Sequence, residues 1–133
     1  MAFNKAGVCL YLQTKGQDKH HLYVVLNDPV EGDPPSVAVV NFSTELKSDR
    51  TVVLNPGPGM HPFVKEETVV VYGWARLLNA RALEKIVEKD MSKRHHKDCS
   101  AQLLEIIRAG IFESPHTNEG VQDYCKRVFP AKP

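Results

Sequence analysis

Two adjacent imidazoles, His20 and His21, follow Lys19 and lead into an apolar run, and a third, His61, opens the triplet His61-Pro62-Phe63. An imidazole with an unperturbed pKa of ~6.5 takes up or releases a proton near neutrality, so each of the three is a candidate general base or acid. In an extended strand successive side chains point to opposite sides, so either His20 or His21 reaches a given pocket, not both. Ser43 and Thr44 close a Val-rich run. Their hydroxyls suit donation to a phosphate oxygen and suit equally the ending of a strand by a bond to their own backbone. Arg50, in the turn Lys47-Ser48-Asp49-Arg50, carries a planar fork that matches a phosphate. Phe63 offers a ring on which a nucleobase could stack, or a plug for the end of an apolar core. Tyr72 and Trp74 share a face by period two and stand between the same alternatives, with core packing the commoner use.

These residues sit on or beside five segments with strand signals: Val8 to Leu12, Leu22 to Leu26, Val37 to Phe42, Thr51 to Leu54 and Thr68 to Leu78. All are rich in Val, Tyr, Phe or Thr, and the stretches between them hold turn formers such as Asn27-Asp28-Pro29, Gly32-Asp33-Pro34-Pro35 and Asn55-Pro56-Gly57-Pro58-Gly59. Close spacing without crossover helices predicts a meander or small barrel, and Gly73 inside the fifth segment predicts a bulge where that strand bends. From Asn79 the period changes to about 3.6. Asn79 is placed to cap a helix with Leu83, Ile86, Val87 and Met91 on one face; Ser100 to cap a second with Leu103, Leu104, Ile107 and Ile111; and Thr117 to cap a third with Val121, Tyr124, Cys125 and Val128. The expected fold class is therefore α+β, a barrel of about five strands followed by about three helices. The expectation is a single domain over residues 1–133, with the barrel in 1–78 and the helices in 79–133.

With 133 residues, 42% hydrophobic and 25% charged, the chain is long enough for a core and has the composition of a folded globular protein. A net charge of +1 gives no global attraction to polyanions, so a nucleic-acid partner would have to be held by a local patch. Cys9, Cys99 and Cys125 are an odd set at wide spacing, which fits a reducing compartment. No segment has the apolar length of a signal peptide core or a membrane span, so the expectation is a cytoplasmic protein without a membrane partner. His95, His96, Asp98 and Cys99 lack a second Cys/His pair at ligand spacing and read as part of a basic run between helices, so no metal or other cofactor is expected. The chain carries no P-loop, no dinucleotide-binding Gly pattern and no Gly-x-Ser-x-Gly elbow.

The order of pieces resembles the PemK/MazF family of small toxin ribonucleases, built on an SH3-like barrel with attached helices. Gly7-Val8-Cys9-Leu10-Tyr11-Leu12 resembles the family's first strand, Thr14-Lys15-Gly16-Gln17 the loop after it, and Val37 to Thr44 a strand that ends in an active-site hydroxyl. Val69 to Leu78 leading into Ala80-Arg81-Ala82-Leu83-Glu84 resembles the last strand and its helix. The likeness covers roughly the first ninety residues. The family's Arg-Pro is replaced here by His20-His21, and Ser43 stands where a Thr is usual. The resemblance implies a metal-independent endoribonuclease of a toxin-antitoxin pair, a hydrolase by class, acting on RNA as a homodimer and inhibited by a cognate antitoxin protein. Carried onto this chain, it makes His20, Ser43 and His61 the catalytic candidates, with Lys19, His21, Thr44, Arg50 and Phe63 binding substrate. The alternative is a non-catalytic SH3-like barrel that binds single-stranded nucleic acid or a protein partner through its aromatic side chains.

Overall fold

A computed structural model of the chain describes residues 3–13, 20–45 and 48–129. Five strands, β1 (Cys9–Gln13), β2 (His20–Val25), β3 (Ser36–Ser43), β4 (Val53–Leu54) and β5 (Thr68–Asn79), are followed by α1 (Ala80–Lys89), α2 (Ala101–Glu113) and α3 (Glu119–Val128). The strands form one antiparallel sheet in the order β1-β2-β3-β5-β4. It curls into a half-barrel, so the α+β architecture of a small barrel-like sheet with three C-terminal helices is the one predicted. The bend has a definite source in β5. Val39 pairs with Arg76 and Asn41 with Val71, which leaves residues 72–75, Gly73 among them, opposite Val40 alone.

Both faces of the sheet are covered, which explains why β2 and β3 read as nearly unbroken apolar runs rather than alternating ones. Leu22, Val24, Val40, Phe42 and Tyr72 pack with Leu103, Ile107 and Ile111 of α2 and Val121 and Tyr124 of α3. Leu10, Leu12, Tyr23, Val25 and Val39 pack with Leu83 and Val87 of α1. Approach of α2 to the sheet is close: Tyr72 donates from its hydroxyl to the Ile107 carbonyl at 2.8 Å, and any β-carbon at Gly110 would collide with that same hydroxyl. Arg108 Nε donates to the Leu26 carbonyl at 2.7 Å, and Asn27 Nδ2 donates to the Tyr124 hydroxyl at 3.1 Å, so each of these helices is tied to the sheet by a polar contact as well.

Helix starts follow the local sequence closely. Asn79 accepts from the Arg81 and Ala82 amides, and Ser100 accepts from the Leu103 amide. The third start differs by one residue from expectation: Asn118, not Thr117, accepts from the Val121 amide at 2.9 Å, and the buried Thr117 hydroxyl has no partner among the described residues. Ile86 and Met91 also depart from the core face expected of them, being 41% and 51% exposed. α1 ends at Lys89, so Met91 falls in a separate 3₁₀ turn, Met91–Lys93, and Ile86 lines a cleft described below.

The open edge at β1 is covered by residues 94–99. Leu10 bridges to Arg94, the His95 amide donates to the Cys9 carbonyl at 2.9 Å, and the Cys99 amide donates to the Gly7 carbonyl at 2.8 Å. No helix among the described residues is long and apolar enough to cross a membrane.

Candidate functional site

A cleft of about 460 Å³ opens between α1 and the adjoining end of the sheet. Leu12, Leu78, Leu83 and Ile86 give it an apolar floor, while Tyr11, Gln13, His20, Arg76, Asn79 and Lys93 supply its polar groups. Among the described residues lining it, three carry or can carry positive charge and none is acidic. That balance differs sharply from the near-neutral chain as a whole and suits an anion.

His20 is the first residue of β2, exposed, and paired across the hairpin with Gln13. Its Nε2 lies 3.0 Å from Lys93 Nζ, the last residue of the 3₁₀ turn. An ammonium has no acceptor, so Lys93 donates and the ring nitrogen presents its lone pair, the state a general base requires. Arg76 enters from β5, immediately past the bulge, with its guanidinium 5.4 Å over the Tyr23 ring. Its Nε is buried without a hydrogen-bond partner among the described residues, and so is Oδ1 of Asn41, which pairs with Tyr23 in the register. Burial raises the pKa of Tyr11, with a smaller push from Cys9, so its hydroxyl stays a proton donor.

Of the described candidate residues, His20 alone lines this cleft; Lys19 lies outside the described residues. His21 points its ring against the edge of Trp74, centroids 5.8 Å apart. Ser43 is buried at the end of β3 and accepts from the Glu45 amide at 3.1 Å, the strand-ending turn that its residue type allowed. Thr44 is exposed just beyond it. Arg50 pairs with Glu67 at 2.8 Å on the surface, which already satisfies its charge. Phe63 packs against the core beside Tyr11 and Phe42.

His61 belongs to a different cluster. Its ring is 4% exposed; Nδ1 accepts from the Phe63 amide at 3.1 Å, so Nε2 carries the proton and donates to the Lys97 carbonyl at 2.8 Å. His95 lies tilted against it with centroids 4.6 Å apart and accepts from the Lys97 amide at 2.9 Å, and His96 stacks on His95 at 4.4 Å. Burial lowers the pKa of His61, outweighing the hydrogen bond to the Lys97 carbonyl, and burial together with the His61 and His96 rings lowers that of His95. These imidazoles clip the 61–63 loop to the 94–99 edge segment. No group of three or more His, Cys, Asp or Glu among the described residues is arranged to hold a metal ion.

Sequence reasoning missed Lys93 as a partner of His20, and Arg76 and Tyr11 as residues that line the same cleft. Arg76 did leave a signal, a lone charge inside the strand run Tyr72-Gly73-Trp74-Ala75-Arg76-Leu77-Leu78. Lys93 did not, because its approach to His20 depends on how the turn after α1 folds back onto β1.

Fold and cleft together define an α+β protein with a curled antiparallel sheet and a cationic cleft at its α1 edge. Comparison with protein-family models, curated proteins and solved structures finds no match.

Proposed function

We propose that the chain is an endoribonuclease of the toxin type, needing no metal, with its reaction carried by His20 in the cleft between α1 and the sheet. The observation that supports it most is the pairing of a proton-accepting imidazole with Lys93 at 3.0 Å in a cleft that also holds Arg76 and, among the described residues, no carboxylate. RNA cleavage by internal attack needs a base for the 2′-hydroxyl proton, a donor for the leaving 5′-oxygen and charge to stabilise the crowded phosphorane. On this reading His20 takes the proton, Lys93 leaves the ring nitrogen for a phosphate oxygen, Arg76 holds the same phosphate, and Tyr11 donates to the leaving oxygen. Ser43 and His61 have structural roles. Regulation by an antitoxin and action as a homodimer belong to the same proposal and follow from the family resemblance alone.

Purified protein should cut single-stranded RNA in the presence of EDTA, and His20→Ala should lose that activity while binding and melting as the parent does. Full cleavage by His20→Ala would defeat the assignment. Binding without catalysis is a second reading with its own support, since neither Ser43 nor His61 joins His20 and the cleft holds a single imidazole among its described residues. RNA retention at low salt with no product over long incubation selects it.

A further inference from the structure

Gly7 adopts φ of 89°, a left-handed conformation that glycine takes without strain, and its carbonyl accepts from two cysteines. The Cys99 amide donates to it at 2.8 Å and the Cys9 thiol at 3.5 Å. The two residues therefore converge on one oxygen, ninety positions apart in sequence (99 − 9), at the seam where residues 94–99 cover the edge of β1. Cys9 is fully buried and Cys99 half-buried, so a small reagent from solvent meets Cys99 first.

We propose that Cys9 and Cys99 are a reversible redox pair, closed to a disulfide by a hydroperoxide and reopened by a dithiol. The asymmetry of the pair supports this order of events. Cys99 packs against the apolar cluster that contains Cys9, and the interaction of the two side chains holds the Cys9 thiol well above its ordinary range, burial adding to the effect, and lowers the pKa of Cys99 against burial and the nearby Asp98. Cys99 is the attacking sulfur. Its thiolate displaces hydroxide from the peroxide as the O–O bond breaks and an S–O bond forms, and the proton released by the thiol makes that hydroxide water. The Cys9 sulfur then attacks the sulfenic sulfur, the S–O bond breaks, and the Cys9 proton leaves with the hydroxyl as a second water. Two thiols supply two electrons and one peroxide accepts them. The product staples the edge segment that follows Lys93 covalently to β1. Nothing in this inference depends on the RNA reading.

Cys125 is the internal control: it lies buried in α3, and burial pushes its thiol up to about 12. Reduced full-length protein is treated with a small excess of hydrogen peroxide, quenched, denatured and alkylated, then weighed and mapped by proteolysis. The expected product takes one alkyl group instead of three, yields a peptide joining Cys9 to Cys99, and reverts with dithiothreitol. Cys125→Ser should form the same link; Cys99→Ser and Cys9→Ser should form none, with Cys9→Ser accumulating sulfinic acid at Cys99. Three alkyl groups after peroxide, a link through Cys125, or over-oxidation of Cys99 in the unsubstituted protein while Cys9 remains free would each overturn the proposal.

Discussion

His20 and His61 carry the same side chain, and the regions around them differ in what the ring nitrogens have left to offer. At the cleft edge His20 is exposed and meets a side-chain donor, the Lys93 ammonium, which a bound anion can draw away. In the imidazole cluster His61 is buried, accepts from one backbone amide and donates to one backbone carbonyl. A ring committed at both nitrogens to the main chain cannot exchange a proton without breaking the fold locally. The comparison teaches that a histidine's chemistry is decided by the replaceability of its partners rather than by its neighbours in sequence.

The sharpest way to break that contrast is to truncate His20. His20→Ala should reduce RNA cleavage about 10²- to 10⁴-fold, the usual contribution of a positioned acid or base, with stability changed by less than about 0.5 kcal/mol because the site is on the surface. Initial rates in EDTA, beside a urea melt of the same sample, give both numbers. A large loss of stability with His20→Ala would erase the difference between the two rings.

His61→Ala should do the reverse. It leaves the Phe63 amide and the Lys97 carbonyl without partners and opens a cavity under His95, which together should destabilise the protein by about 2–4 kcal/mol. Cleavage per folded molecule, corrected by the same melt, should stay near the parent value.

Much of the fold was legible because it rests on local rules: five strand segments, three helical periods and two of three caps come from residue type and spacing. Thr117 and Asn118 are both good capping types side by side, and the third cap fell to Asn118, whose Oδ1 meets the Val121 amide. The site was legible at one residue. His20 was visible as an imidazole at a strand start, but Arg76 enters the cleft past a four-residue bulge in β5 and Lys93 reaches His20 through the turn after α1, both long-range events that periodicity does not encode. The same limit hid the stack: His95 and His96 read as a solvated basic run, and what buries His95 is the edge pairing of that run with β1.

The cations around His20 offer a smaller and more selective test. Lys93→Met should weaken binding of single-stranded RNA at every sequence and lower the slope of log K against log salt by about 0.7, the share of one phosphate contact. Arg76→Met should do the same. The substitution at 76 removes a buried donor that has no partner among the described residues and also a guanidinium over Tyr23, so its net effect on stability should lie within about 1 kcal/mol of zero. An unchanged salt slope in both variants would take the phosphate out of the cleft.

The gentlest probe is pH, because it acts on the imidazole cluster through the protons it refuses. Burial holds the folded-state pKa values of His61 and His95 below the ordinary 6.5. Above that value both folded and unfolded chains keep these rings neutral, and they add no pH dependence. As pH falls through 6.5 the unfolded chain protonates first, binds more protons than the folded one, and stability declines until the folded-state values are passed. Asp49 does not blur this window. Burial would raise its pKa, but hydrogen bonds from Thr51 and Ser114 outweigh it and hold the carboxyl below 3.8, so its contribution is lost only at far lower pH. Urea melts should therefore show little change for the parent from pH 7.5 to about 6.5 and a loss from there to pH 5, and His61→Gln, which keeps a polar side chain without a titrating ring, should flatten the part of that slope due to His61. An equal slope in His61→Gln would mean that the cluster is not where the protons go.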